Sequence, residues 1–220
     1  MIEKSTLAFL ANLKANNYRE WFQDHKKTYE AAKQNFVAFI QLVIDELGKT
    51  DTSIAGLAAK DCLFRINRDV RFSKDKSPYK TNFGASINKG GRKGMGAGYY
   101  FHCEPASAFL GGGVYQPPAD ITQKIRQEID YCFTDWNNII TAPTFIKEYG
   151  SIAKDKAYTL SRPPKGYDAN NPAIEYLKHT SWIATKELDT SELTSKKLLT
   201  NTIQTFQALT PFIDFLNTAL

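Results

Sequence analysis

Leu63-Phe64-Arg65-Ile66-Asn67-Arg68-Asp69-Val70-Arg71-Phe72-Ser73 alternates in character along its length. Phe64, Ile66, Val70 and Phe72 fall on one side of an extended chain, and Arg65, Asn67, Asp69, Arg71 and Ser73 on the other, which is the period of a half-buried strand. Arg68 is the misfit on the apolar side, so the pattern predicts that it is largely buried and paired with an acid, or lines a pocket beneath the sheet. Downstream, Asn82 to Asn88, Tyr99 to Glu104 and Ala108 to Tyr115 read as three more strands. Residues 89–98 hold five glycines and three cations, and are expected to form a mobile hairpin tip. Gly111-Gly112-Gly113 implies a bulge or a close approach of backbone. Four sequential strands point to an antiparallel meander.

Helical periodicity surrounds this block. Ser5 or Thr6 caps a short helix through Leu7, Leu10 and Leu13, and Asn16-Asn17 interrupts it. From about Asp24 a longer stripe runs through Tyr29, Phe36, Phe39, Ile40, Val43, Ile44 and Leu47, and stops at Gly48. Pro117-Pro118 precedes a helix through Ile121, Ile125, Ile129 and Phe133, and further helical pieces are expected from Trp136 to Tyr149. A short strand near Ala157 to Leu160, an irregular stretch from Ser161 to Pro172 and a last strand from Ser181 to Leu188 follow. Leu198, Thr202, Phe206 and Leu209 outline another helix, and Thr210-Pro211 reads as the cap and first turn of a separate terminal one. The expected fold is α+β, an antiparallel sheet of about four to six strands flanked by helices, in a single domain over residues 1–220.

Charge is unevenly placed. Residues 65–93 hold nine cations and two acids, a local +7 in a chain whose net charge is +5, so the remainder is slightly acidic. Such an excess points to an anionic partner, a phosphate or a carboxylate. The competing view is that Asp69 and Asp75 neutralise their neighbours and the lysines are a solvated loop. Arg65 and Arg71 lie six residues apart, about 20 Å along a strand, too far to grip one phosphate together. A compact site therefore needs the turn after Ser73 to fold back and bring Lys74, Lys76 or Lys80 beside Arg71.

Cys62, Cys103 and Cys132 are three and widely spaced, giving neither a disulfide framework nor a metal pair, and a reducing cytoplasm fits them. His25, His102 and His179 share no metal-ligand spacing with carboxylates, so no metal site is expected, and no cofactor is named by any motif. No apolar run is long enough for a leader or a membrane span. On the strand Tyr99 to Glu104, alternation places Tyr100, His102 and Glu104 on one face, so an imidazole and a carboxylate can sit side by side for proton transfer. Trp21, Trp136 and Trp182 are expected in the interior.

The motif Arg65-x-x-Arg68-Asp69-x-Arg71-Phe72-Ser73-Lys74-Asp75-Lys76-x-Pro78-Tyr79-Lys80 resembles the signature of a bacterial family, domain of unknown function 2461. Residues 16–22, Tyr99-Tyr100-Phe101-His102, the run of three glycines, Arg126 and Arg162-Pro163-Pro164-Lys165-Gly166-Tyr167 resemble its other blocks in order. The resemblance implies one intact domain and carries no activity, substrate, cofactor or catalytic residue.

Taken together, the residues point to an anion-binding protein for a small phosphate- or carboxylate-bearing ligand. Arg65, Arg68, Asp69, Arg71, Ser73, Lys74, Lys76, Tyr79, Lys80 and His102 are the candidate ligand-binding residues. Two alternatives stand beside it: a nucleic-acid-binding module using the broad basic surface, and an enzyme using Arg71 and Arg68 with His102 as acid or base. The small ligand is preferred because Asp69 and Asp75 interrupt the cations, which a continuous phosphate backbone would not tolerate.

Overall fold

Apolar residues at helical spacing form the first layer of the fold. The computed structural model describes residues 1–220. It opens with α1 (Lys4–Ala15), α2 (Arg19–Asp24), α3 (Lys26–Leu47) and α4 (Ala59–Cys62). Strands β1 (Phe83–Ile87), β2 (Gly98–Cys103) and β3 (Ala108–Val114) follow, then α5 (Ala119–Tyr131), α6 (Phe133–Ile140), α7 (Pro143–Tyr149) and α8 (Ile174–Leu177). Strand β4 (Trp182–Leu188), α9 (Thr190–Leu193) and α10 (Leu198–Thr218) complete the chain. The protein is thus α+β, with ten helices and one antiparallel sheet whose strands hydrogen-bond in the order β1-β2-β3-β4. No helix is long and apolar enough to cross a membrane.

Contacts group the chain into two compact units. The first comprises 1–93, 100–110 and 187–204, the second 94–99, 111–186 and 205–220. In the first, α3 carries Phe36, Phe39, Ile40, Val43 and Ile44 inward, and all are buried. Phe36 meets Phe83 of β1 at 5.4 Å and Phe39 meets Phe101 of β2 edge-on at 5.2 Å. Alternation along β2 therefore sends Phe101 and Cys103 to the α3 side, and Tyr100 and His102 to the opposite face of the sheet. In the second unit, α10 supplies Phe206 to Tyr99 at 5.1 Å, and Phe212 to Trp136 at 5.4 Å. Arg126 of α5 donates from Nε to the Leu177 carbonyl at 2.7 Å and from Nη2 to that of His179 at 3.0 Å, closing the end of α8. Trp136 and Trp182 are buried as expected, while Trp21 stays partly exposed and stacks on His25.

Four expectations need correction. The segment 64–73 is not a strand. Its backbone meets the sheet only at its start, through the Leu63 bridge to Ala85 and the Phe64 N–H to the Gly84 carbonyl. Its Asn67 bridge pairs with Tyr79 of the same loop, and Phe72 on its supposed apolar face is 97% exposed. Thr210-Pro211 does not start a helix, because α10 runs unbroken past Pro211, which sits on an exposed position. Near Ala157 to Leu160 there is a single 3-10 turn and one bridge, Thr159 to His179, in place of a strand. The loop 89–98 is tethered at both ends. Gly91 donates to the Asn88 carbonyl at 2.8 Å and packs on the backbone of Asp61, and Ala97 donates to Asn217 Oδ1 at 2.8 Å. The run of three glycines does mark close backbone approach, since side chains there would meet the Ala184, Gly98 and Trp182 carbonyl oxygens.

Candidate functional site

The basic motif folds into a long loop pinched at its base. Arg68 N donates to the Pro78 carbonyl at 2.9 Å and Lys80 N to that of Ile66 at 2.8 Å. Inside it, Asp75 Oδ1 accepts from Ser77 N at 2.9 Å and from Ser77 Oγ at 2.7 Å, while Oδ2 pairs with Arg68 Nη1. The Ser77 bonds, and then Arg68, hold this carboxyl well below the usual range. Arg68 also reaches the Ser77 carbonyl at 3.3 Å and Ser73 Oγ at 3.4 Å. Its side chain is 26% exposed, so it is paired with an acid as expected, but at the loop surface and not in the core.

Arg71 is likewise matched, gripping Asp69 through Nε at 3.0 Å and Nη2 at 2.7 Å and lowering that carboxyl's pKa. Lys76 Nζ donates to the Val70 carbonyl at 3.0 Å, and Lys74 is exposed. Tyr79 is buried against Phe22 at 4.0 Å, with its backbone N and O both bonded by the Asn17 side chain. Six of the candidate residues, Arg68, Asp69, Arg71, Ser73, Lys76 and Tyr79, are thus engaged with the loop itself or the packing beneath it.

Arg65, Lys80 and Arg92 behave differently. Lys80 Nζ lies 5.1 Å from the centre of the Phe64 ring and Arg92 Cζ lies 6.0 Å from it. Arg65 flanks Lys80 closely enough that its charge, like that of Arg92, is felt at the ammonium. None of the three cations makes an ion pair or a side-chain hydrogen bond, and the acid whose field reaches Arg65, Asp69, is already clasped by Arg71. Burial of Lys80, then repulsion from Arg65 and Arg92, lowers its pKa. The chain thus sets two cations against one half-exposed ring, with the charge of Arg65 felt at one of them and no ion pair to any of the three.

Bordering that ring is the row on β2. Tyr100 meets Phe64 edge-on at 6.1 Å, and lies over Gly84, where an added Cβ would fall 2.5 Å from its hydroxyl. Tyr100 Oη is 3.3 Å from His102 Nδ1, and Asn82 Nδ2 is 3.4 Å from the same nitrogen. His102 Nε2 is 3.4 Å from Glu104 Oε2, whose other oxygen accepts from Thr81 Oγ1 at 2.7 Å and faces Lys14 Nζ at 3.5 Å. These partners fit the tautomer in which Nδ1 accepts and Nε2–H donates to Glu104. The imidazole also stacks on Phe109 at 4.6 Å. Burial lowers the His102 pKa despite Glu104, and pushes the Tyr100 phenol up to about 12. At Glu104 burial opposes ionisation, but Thr81, His102 and Lys14 prevail and the pKa falls.

The imidazole and carboxylate placed together by strand alternation do meet. No hydrogen bond or ion pair joins Arg68 or Arg71 to His102. Arg92, Phe64, Tyr100 and Glu104 join Lys80, Arg65 and His102 in this region. Arg92 was countable as local charge, but its approach to Phe64 comes from the tethering of the loop after β1. A surface hollow of about 720 Å³ lies elsewhere, lined by Gln23, Lys26, Lys27, Glu30 and Gln34, a mixed-charge helix face without convergent chemistry. No three His, Cys, Asp or Glu side chains gather as a metal site. All three cysteines are free, and burial pushes the Cys103 thiol up to about 12.

Both His102 and buried His179 have pKa values below the ordinary 6.5, burial being the leading cause at each. An unfolded chain takes up these protons as pH falls through about 6.5, while the folded chain resists them. Stability should therefore be complete above that pH and decline below it, by at most about 1.4 kcal/mol per pH unit for each histidine. Urea unfolding at several pH values from neutral downward checks this, and His102→Gln should flatten the decline; a flat wild-type profile would contradict it.

Neither a curated protein nor a solved structure matches the chain. A family model does match, over residues 5–215, nearly the whole length. The chain belongs to the family described as conserved hypothetical protein (DUF2461).

Proposed function

We propose that the protein binds a small ligand through a phosphate or carboxylate group held by Arg65, Lys80 and Arg92 beside Tyr100. One observation carries this reading: Lys80 and Arg92 lie against Phe64, the charge of Arg65 is felt at Lys80, and no acid is paired to any of the three. Like charges held together without neutralisation oppose folding, and an arriving anion relieves them while gaining charge-assisted hydrogen bonds. Arg68 and Arg71 are satisfied by Asp75 and Asp69, so within the original basic motif the binding role passes to Arg65 and Lys80, with Arg92 added. The three reduced cysteines agree with a cytoplasmic location.

A second reading, acid–base chemistry on the bound ligand, is favoured by the chain from Tyr100 through His102 to Glu104. Titration with inorganic phosphate and with oxalate, followed by the resonances of Tyr100 and His102, tests binding. Saturable shifts that persist at physiological salt support the small ligand, and the absence of any shift overturns it. Duplex and single-stranded oligonucleotides provide the contrast, because exposed Phe72 beside Arg71 and Lys74 offers a surface on which a base can stack. Tight oligonucleotide binding that collapses with added salt would replace the small-ligand reading with nucleic-acid recognition.

A further inference from the structure

Lys80 differs from an ordinary surface lysine in three ways. Its stem is partly buried, its Nζ lies over an aromatic ring without a hydrogen-bond acceptor or carboxylate partner, and it stands among cations of its own sign. Its backbone is fixed, because Lys80 N donates to the Ile66 carbonyl and the next residue, Thr81, is anchored to Glu104. We propose that Lys80 is a nucleophilic amine that condenses with the carbonyl group of a small compound carrying a carboxylate or phosphate. The inference rests on the anion-binding reading above and adds a covalent step to it.

The same groups serve both halves of this chemistry. Desolvation and neighbouring positive charge favour the neutral amine, which is the nucleophilic form. Arg65 and Arg92, which supply that charge, also attract the anionic end of the substrate and so bring its carbonyl carbon to the amine. The Lys80 nitrogen pair forms a C–N bond while the carbonyl π pair moves to oxygen. Transfer of a proton from nitrogen to that oxygen gives a carbinolamine. The proton that remains on nitrogen is passed by way of a carrier to that hydroxyl, which leaves as water while the nitrogen pair closes the C=N bond. An amine and a carbonyl become an imine and water, with nothing oxidised or reduced. Tyr100, bordering the Phe64 ring and hydrogen-bonded to His102, is a proton carrier placed on the same face.

The test uses the intact wild-type chain and three probes: pyridoxal 5′-phosphate, pyridoxal without the phosphate, and glyoxylate. Each is added in limiting amount, trapped with borohydride, and located by peptide mass mapping. Lys80 should be labelled at least about tenfold faster than any other lysine by the two anionic probes, and pyridoxal should lack that preference. The double variant Arg65→Gln/Arg92→Gln should abolish the preference at Lys80 while leaving labelling of other lysines unchanged. Phosphate titration by resonance shifts runs in parallel. If phosphate binds but Lys80 is labelled no faster than the rest, the imine proposal fails and the anion reading stands. If phosphate does not bind and Lys80 is unreactive, both fail. Equal, rapid labelling by pyridoxal and its phosphate would overturn the anionic substrate class.

Discussion

Replacing Gly113 with alanine should destabilise the protein by about 3–5 kcal/mol, which is a large part of the typical stability of a domain. Two costs add. The residue has φ of +120°, which L side chains rarely adopt, so any Cβ brings backbone strain. That Cβ would also fall inside the contact distance of the Trp182 carbonyl oxygen on β4 and 3.0 Å from Cε1 of Phe212 on α10. Neither neighbour has room to give, since Trp182 and Phe212 are both fully buried. Urea unfolding of the alanine variant measures the loss. A change below about 1 kcal/mol would show that β3 and β4 separate easily at this point.

How far residue pattern leads to structure can be judged at β2 and at the loop before β1. Along Tyr99, Tyr100, Phe101, His102 and Cys103, alternation of burial follows alternation of sequence, because one face packs on helices and the other stays half open. The meeting of His102 with Glu104 was readable there for the same reason. Residues 64–73 show a similar alternation broken only at Arg68, yet they form no strand. Local bonds decided it: Asp75 turns back on Ser77 and holds Arg68, and Asp69 holds Arg71, so these polar groups are satisfied within the loop itself. Pro211 misled in the opposite direction. At that exposed position α10 continues, and packing of Phe206, Leu209, Phe212 and Ile213 on either side outweighs the lost hydrogen bond. The cationic cluster was legible only as a total. Counting charge could not say which cations find acids and which meet each other, because Arg65, Lys80 and Arg92 converge through contacts between the base of one loop and the tip of another.

That convergence makes Lys80→Met the most telling single change, with opposite expected effects on binding and stability. Methionine keeps an unbranched apolar stem on the Phe64 ring and removes the charge between Arg65 and Arg92. Loss of a charged hydrogen-bond partner at the anion should weaken phosphate binding by about 1.5–3 kcal/mol, roughly ten- to a hundredfold. The folded protein, relieved of a partly desolvated and repelled ammonium, should become slightly more stable. A lysine whose role is structural would behave otherwise, since its removal would lower stability and leave phosphate affinity intact. Thermal unfolding with and without phosphate reads both quantities in one experiment: the variant should melt higher than wild type in the absence of the anion and respond less to its addition. A variant that melts lower, and whose midpoint still rises with phosphate as far as wild type's does, would remove Lys80 from the site and leave Arg65 and Arg92 to carry the binding alone.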